Sequence, residues 1–186
     1  MTKKPMPKVA APYTLGKLGI FTVESLDIEF SNGAERTYYR LASRNDAVTV
    51  LAIYQEQLVM VREFAAGTLK YQFGFVKGGM EQGETPEQAA IRELAEEASF
   101  KAGKATLLSS TFSSPSYGTG KHHIVLVEGL EPLAEPIPGD EPESLEISFW
   151  PVSQVSELFK QENFTDVYAR LAVYELQAHL VKTKHS

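Results

Sequence analysis

Three glutamates crowded on one stretch of chain, Glu93, Glu96 and Glu97, are the first sign of chemistry. They follow a glycine-rich run, Gly78-Gly79-Met80-Glu81-Gln82-Gly83-Glu84. Thr85, Pro86 and Gln88 mark a helix start: Thr85 as N-cap, Pro86 at the first helical position, Gln88 closing a capping box. At about 100° per residue, Glu97 lies about 40° to one side of Glu93 and Glu96 about 60° to the other. Ile91, Leu94, Ala95 and Ala98 fall opposite and are expected to pack on the core. Like charges at i,i+3 and i,i+4 destabilise a helix by a few tenths of a kcal/mol per pair, so something must offset them. Two readings are open. One is a solvated acidic face with Arg92 nearby. The other is a divalent-cation site, where carboxylates, waters and substrate phosphates share a hard ion such as Mg²⁺. Gly78 and Gly79 let the backbone come close enough for a carbonyl to join the ligands.

The elements that must position this helix can be traced along the chain. Residues up to about Leu18 hold Pro5, Pro7 and Pro12 and read as a mobile or draped arm. Phe21 to Phe30 alternates like a strand, with a parity change between Val23 and Leu26 that predicts a bulge or a change of buried face. Asn32-Gly33 predicts a hairpin returning through Arg36–Leu41. Ala47 to Tyr54 and Gln57 to Phe64 read as buried strands, and Tyr71 to Lys77 as the strand entering the glycine run. Thr106–Thr111 and Ile124–Val127 follow as strands. His122 and His123 then face opposite ways and read as structural or surface residues. Glu131 to Glu146 has the composition of an acidic surface loop, Leu145 to Pro151 of a last strand. Val152 to Lys160 and Thr165 to Leu180 read as helices covering the core.

Composition excludes some chemistry. The 186 residues suffice for one domain with a substantial core and a small appended piece. With no cysteine there is no thiol catalysis, disulfide or thiolate metal site. A formal net charge of −6 argues against a nucleic-acid polymer as partner. No signal peptide and no run of membrane-spanning length is seen, so the default location is the cytoplasm.

Gly78, then Glu84, then Arg92-Glu93-Leu94-Ala95-Glu96-Glu97-Ala98-Ser99-Phe100 resembles the signature box of the Nudix hydrolases at its fixed spacings. Ser99 departs from it, standing where the family usually has glycine. The approach Tyr71 to Gly79 and the run Ser114-Pro115-Ser116-Tyr117 look like the ADP-compounds hydrolase subgroup of the ADP-ribose-pyrophosphatase-like branch. The resemblance implies an α/β (α+β) fold, a mixed sheet sandwiched between helices, preceded by an N-terminal antiparallel hairpin. It divides the chain into an arm and dimerisation hairpin over 1–44 and a hydrolase domain over 45–186.

It also implies roles. Glu93, Glu96, Glu97 and the carbonyl of Lys77 would hold Mg²⁺ (or Mn²⁺), and Glu84 with Arg92 would form a structural pair. A loop glutamate, Glu141 or Glu143, would activate water. Arg40, Arg62, Glu63, Tyr117 and Lys121 would contact substrate. The implied reaction is hydrolysis of the diphosphate link of ADP-ribose, diadenosine polyphosphates or NADH, releasing AMP, by a homodimer acting on a small nucleotide. The rival readings are a narrow ADP-ribose or ADP-sugar pyrophosphatase, a non-catalytic nucleotide sensor, and an acidic protein-interaction module.

Overall fold

The structure, a computed structural model, describes residues 4–135, 137 and 145–183. The chain falls into two compact units, one formed by residues up to Asn45 with Phe112–Lys121, the other by Asp46–Thr111 with the residues from His122 onward.

In the first unit, β1 (Lys8–Val9), β2 (Tyr13–Leu18), β3 (Phe21–Glu29) and β4 (Glu35–Ala42) form an antiparallel sheet. Asn32-Gly33 makes the expected turn between β3 and β4. Gly33 takes φ 79°, a region glycine enters without a Cβ clash, and the Asn32 Oδ1 accepts from the Ala34 amide at 3.1 Å. All of β4 pairs along one edge of β3, while β2 and β1 share the other. Lys8–Val9 and Tyr13–Leu18, within the expected draped arm, are therefore strands, because β3 offers them a free edge. The register shift lies in β2, between Thr14 and Gly16, and β3 itself runs unbroken against β4. Backbone bonds from Leu41 to Tyr117 and from Thr119 to Leu41 tie the 113–120 loop to β4 within this unit.

The second unit is a mixed sheet. Its strands are β5 (Ala47–Tyr54), β6 (Gln57–Ala65), β7 (Lys70–Gly74) and β8 (Val76–Gly79), then β10 (Lys104–Phe112), β11 (Lys121–Glu128) and β13 (Glu146–Pro151). A short ribbon, β9 (Phe100–Lys101) with β12 (Glu131–Pro132), stands apart. The β5–β6 hairpin pairs only at Ile53–Leu58 and Tyr54–Gln57, then splays. Residues 70–79 fill the gap, first as β7 on β6 and then as β8 on β5. The single strand expected over Tyr71–Lys77 is thus two, since the gap's walls diverge and one straight strand cannot pair with both.

Helix α1 (Pro86–Ala98) covers one face of this sheet, where Val48, Val50, Val76, Ala89, Ala90 and Leu94 are buried together. A 3₁₀ helix (Val152–Lys160) and α2 (Val167–Thr183) cover the other, over Leu51, Phe75, Phe164, Val173 and Leu176. Each fully buried Leu or Val contributes about 1.5–3 kcal/mol of transfer free energy. The Asp166 carboxylate caps α2, accepting from the Tyr168 and Ala169 amides at 2.9 and 2.8 Å. Val167, the first residue of this core-covering helix, is exposed. On this α2 face the lone tryptophan, Trp150, sits edge-on to Phe73 and donates from Nε1 to the Gln154 carbonyl.

Candidate active site

The start of α1 is built as its sequence specifies. The Thr85 hydroxyl accepts from the Gln88 amide, and the Gln88 side chain accepts from the Thr85 amide at 2.9 Å. At the other end Ser99 takes the left-handed conformation, φ 57° and ψ 41°, that usually falls to glycine. The buried face is shifted from the expected one. Ala89, Ala90, Glu93, Leu94 and Ala98 are buried, whereas Ile91 is 39% exposed and Ala95 only half-buried. The packed arc therefore passes through Glu93 itself, so the acidic and apolar sides of the helix overlap.

Glu93 can be buried because the strand beneath it has no side chain. A Cβ built on Gly78 would fall on the Glu93 carboxyl group. That is the physical reason for glycine here: it makes a cradle for a carboxylate at the end of β8. Arg92 organises the remaining charges. Its Nε and Nη2 bind both oxygens of Glu84 at 2.9 and 3.0 Å, a bidentate clasp. Its Nη1 donates to Glu93 at 2.8 Å and Glu96 at 3.1 Å, and its Nη2 also to the Gly79 carbonyl at 2.8 Å. The Arg92 guanidinium beside Glu84 holds that carboxyl below the usual carboxylate range, and Glu84 in turn raises Arg92 above its ordinary value. Glu84 also accepts from the Glu81 amide at 2.7 Å, which pins the glycine-rich loop to the helix. Among the described residues no three His, Asp or Glu side chains already converge in a metal-ligand cluster. Glu84, Glu93 and Glu96 are gathered around the Arg92 guanidinium instead.

The other candidates lie in several places. Lys77 sits in β8 beside Gly78, its ammonium 3.0 Å from Glu63. Arg62 on β6 pairs with Glu146 at 3.1 Å and lies 4.9 Å over the Tyr71 ring. Arg40, Tyr117 and Lys121 belong to the first unit. There Arg40 binds Glu24 at 2.8 Å, Tyr117 is exposed, and the Lys121 ammonium lies 5.6 Å from the Phe112 ring. Glu141 and Glu143 fall outside the described residues. The adjacent histidines do face opposite ways. His122 bonds Thr49 at 2.7 Å and stacks on Tyr168 at 3.7 Å, while His123 lies between Ser110 and Asp46. The sequence could have flagged the Gly78 cradle, as a glycine at the close of a buried strand. It held no signal for Arg92's five-fold bonding beyond the arginine itself.

Residues 43–171 match the NUDIX domain. The chain belongs to the Nudix hydrolases. Residues 7–40 match the NudE-type Nudix hydrolase N-terminal domain. The ADP compounds hydrolase NudE of Escherichia coli (strain K12) is 39% identical over 161 residues, 86% of each chain. The ADP-ribose pyrophosphatase of Bacillus subtilis (strain 168) is 29% identical over 170 residues, 88% of this chain and 91% of the relative. A solved structure titled as the crystal structure of ADP compounds hydrolase superposes with a TM-score of 0.91 at 35% identity and covers 98% of both chains. The mixed sheet between helices and the antiparallel N-terminal strands are thus those of a Nudix enzyme. Among the described residues no helix is long and apolar enough to cross a membrane.

Proposed function

We propose that this Nudix hydrolase cleaves the diphosphate link of ADP-containing compounds, namely ADP-ribose, diadenosine polyphosphates such as the triphosphate, and NADH, and releases AMP. The observation that carries the reading is Glu93, cradled on Gly78 and tied through Arg92 to Glu84 and Glu96, in a chain whose relatives bear the names given above. Nudix hydrolases generally use divalent metal ions, and the donor set here fits a hard one. It offers carboxylate oxygens from one helix face and a backbone carbonyl from the strand beside it. Mg²⁺, with Mn²⁺ as substitute, is the cofactor of this reading. Glu93 and Glu97 would hold it, with Glu96 and the Lys77 carbonyl in support. The bound ion would supply charge neutralisation on the diphosphate and lower the pKa of the attacking water.

The protein's own part is positioning. Glu84 and Arg92 fix the loop against the helix. In this reading Arg62, half-exposed and backed by Tyr71, would meet phosphate or base, and Glu63, Arg40, Tyr117 and Lys121 would each be substrate contacts. Glu141 or Glu143 would take the proton of the attacking water. A narrower ADP-ribose or ADP-sugar pyrophosphatase is the second reading, favoured by the similarity to the Bacillus subtilis enzyme along most of the chain. The 1–44 segment would serve as a dimerisation piece and 45–186 as the hydrolase domain. The first unit's exposed Tyr13, Leu18, Ile20, Phe21 and Tyr39 support that use. A cytoplasmic homodimer goes with this reading, and light scattering after size exclusion that gave a monomer would remove the dimer.

The deciding experiment measures AMP release from ADP-ribose, diadenosine triphosphate and NADH, with Mg²⁺ and with chelator, for wild type and Glu97→Gln. Metal-dependent release is expected to fall by orders of magnitude in the variant while its melting temperature holds. Turnover unaffected by chelator would sink the metal reading. Release from ADP-ribose alone would select the narrow one.

A further inference from the structure

The row of the sheet that carries Gly78 continues through Val48 of β5 to His123 of β11. Residues paired across strands share a face, and Val48 packs under α1. His123 is therefore on the same face as Glu93, two strand spacings or roughly 10 Å from Gly78. Its ring is buried, with Nδ1 2.8 Å from Ser110 Oγ on β10 and Nε2 3.4 Å from Asp46 Oδ2 at the head of β5. A carboxylate only accepts, so Nε2 is the donor toward Asp46, while Ser110 Oγ holds Nδ1 on the other side.

The path goes on from there. The Asp46 carbonyl accepts from the Met80 amide at 2.9 Å, and the Gly79 carbonyl accepts from Arg92 Nη2 at 2.8 Å. Those last two groups belong to one peptide plane, Gly79–Met80. The residue that holds its N–H therefore also aims its C=O.

We propose that His123 is a positioning residue of this hydrolase: by fixing Asp46 it sets the tilt of the Gly79–Met80 peptide, and through it the Arg92 guanidinium that holds Glu93 and Glu96. The proposal rests on the reading of this helix face as the catalytic site. Ser110 is the outer stay of the same path, since it fixes the ring from the other side. Loss of such a supporting hydrogen bond costs roughly 10–100-fold in activity at sites of this kind.

The test compares His123→Phe, which keeps a ring and removes both bonds, with His123→Gln, whose amide can still donate to Asp46. Steady-state kinetics on ADP-ribose with Mg²⁺, melting temperature and the exchange rate of the Met80 amide are read for each. For His123→Phe the expected result is a roughly 10–100-fold lower kcat with little change in KM. The Met80 amide should exchange faster while amides of α2 keep their protection, and His123→Gln should recover most of the rate. An unchanged kcat in His123→Phe beside an active wild type would overturn the proposal. So would a loss that glutamine does not recover with Met80 exchange unmoved. If His123→Phe does not fold, Ser110→Ala at an exposed position decides. A few-fold loss with faster Met80 exchange supports the path, and wild-type behaviour in both removes it. An inactive wild type would count against the catalytic reading alone, because the Met80 exchange still reports whether His123 reaches the loop.

Discussion

The two faces of the central sheet each bury a titratable side chain, and they treat it in opposite ways. Under α1, Glu93 is 8% exposed and meets a guanidinium that serves four acceptor groups at once. Under α2, His122 is 6% exposed, and its neighbours are a hydroxyl and the flat of a tyrosine ring. Burial, opposed by Asp166 and aided by His123 and Lys77, pushes the His122 imidazole down to about 4. On the α1 face a buried carboxylate is held by a charged donor. On the α2 face a buried imidazole, whose direct partners are a hydroxyl and a ring, gives up its charge and becomes packing.

The largest expected break in that contrast comes from Gly78→Ala. The added methyl group falls where the Glu93 carboxyl group lies, so the carboxylate must move by about an ångström or more. A displacement of that size costs on the order of 10²-fold in rate. Single-turnover kinetics would measure it, and near-wild-type rates would show that Glu93 does not need its cradle.

His122 should affect stability and leave the rate at neutral pH nearly untouched. The ring is neutral in the folded protein but takes a proton in the unfolded chain below about pH 6.5. Its contribution is therefore full above that pH, declines as the pH falls toward about 4, and levels off below. The loss amounts to up to about 3 kcal/mol. Urea unfolding of wild type and His122→Gln across this window should show a flatter pH dependence for the variant. Parallel curves would mean that His122 is not the group that titrates.

The smallest effect belongs to Ser99, which keeps a left-handed backbone with a Cβ attached. Ser99→Gly should raise stability by about 1 kcal/mol, read from the unfolding midpoint, without altering the rate. A destabilised variant would mean that the Ser99 side chain outweighs the backbone strain.

Sequence alone made the start of α1 legible, because the capping box is local. The Arg92–Glu84 pair came from the family resemblance. The cradle at Gly78 did not show, because it depends on where Glu93 falls across the helix–strand contact. Ile91 misled because alanines at 89 and 90 give a weak apolar signal, so the strong isoleucine drew the packed arc toward itself. The N-terminal strands were hidden for another reason. Lys8–Val9 and Tyr13–Leu18 are short and interrupted by Pro12, and only the distant edge of β3 makes them strands. The splay of β5 from β6 likewise has no mark in either strand, because what opens the hairpin is the segment that later fills it. His122 and His123 read as bland for want of spacing. Their partners come from Thr49, Tyr168, Ser110 and Asp46, far apart in sequence.

Trp150 gives the molecule one indole fluorophore, and its position decides what that fluorophore can see. Packed against Phe73 and bonded to Gln154 on the α2 face, its emission follows the melting of that layer. The box helix lies across the sheet and is dark to it. An unfolding curve taken by tryptophan emission that coincides with one taken by loss of activity would show the two faces to be a single cooperative unit. A lag between them would mean that the α1 layer can come apart while the light stays on.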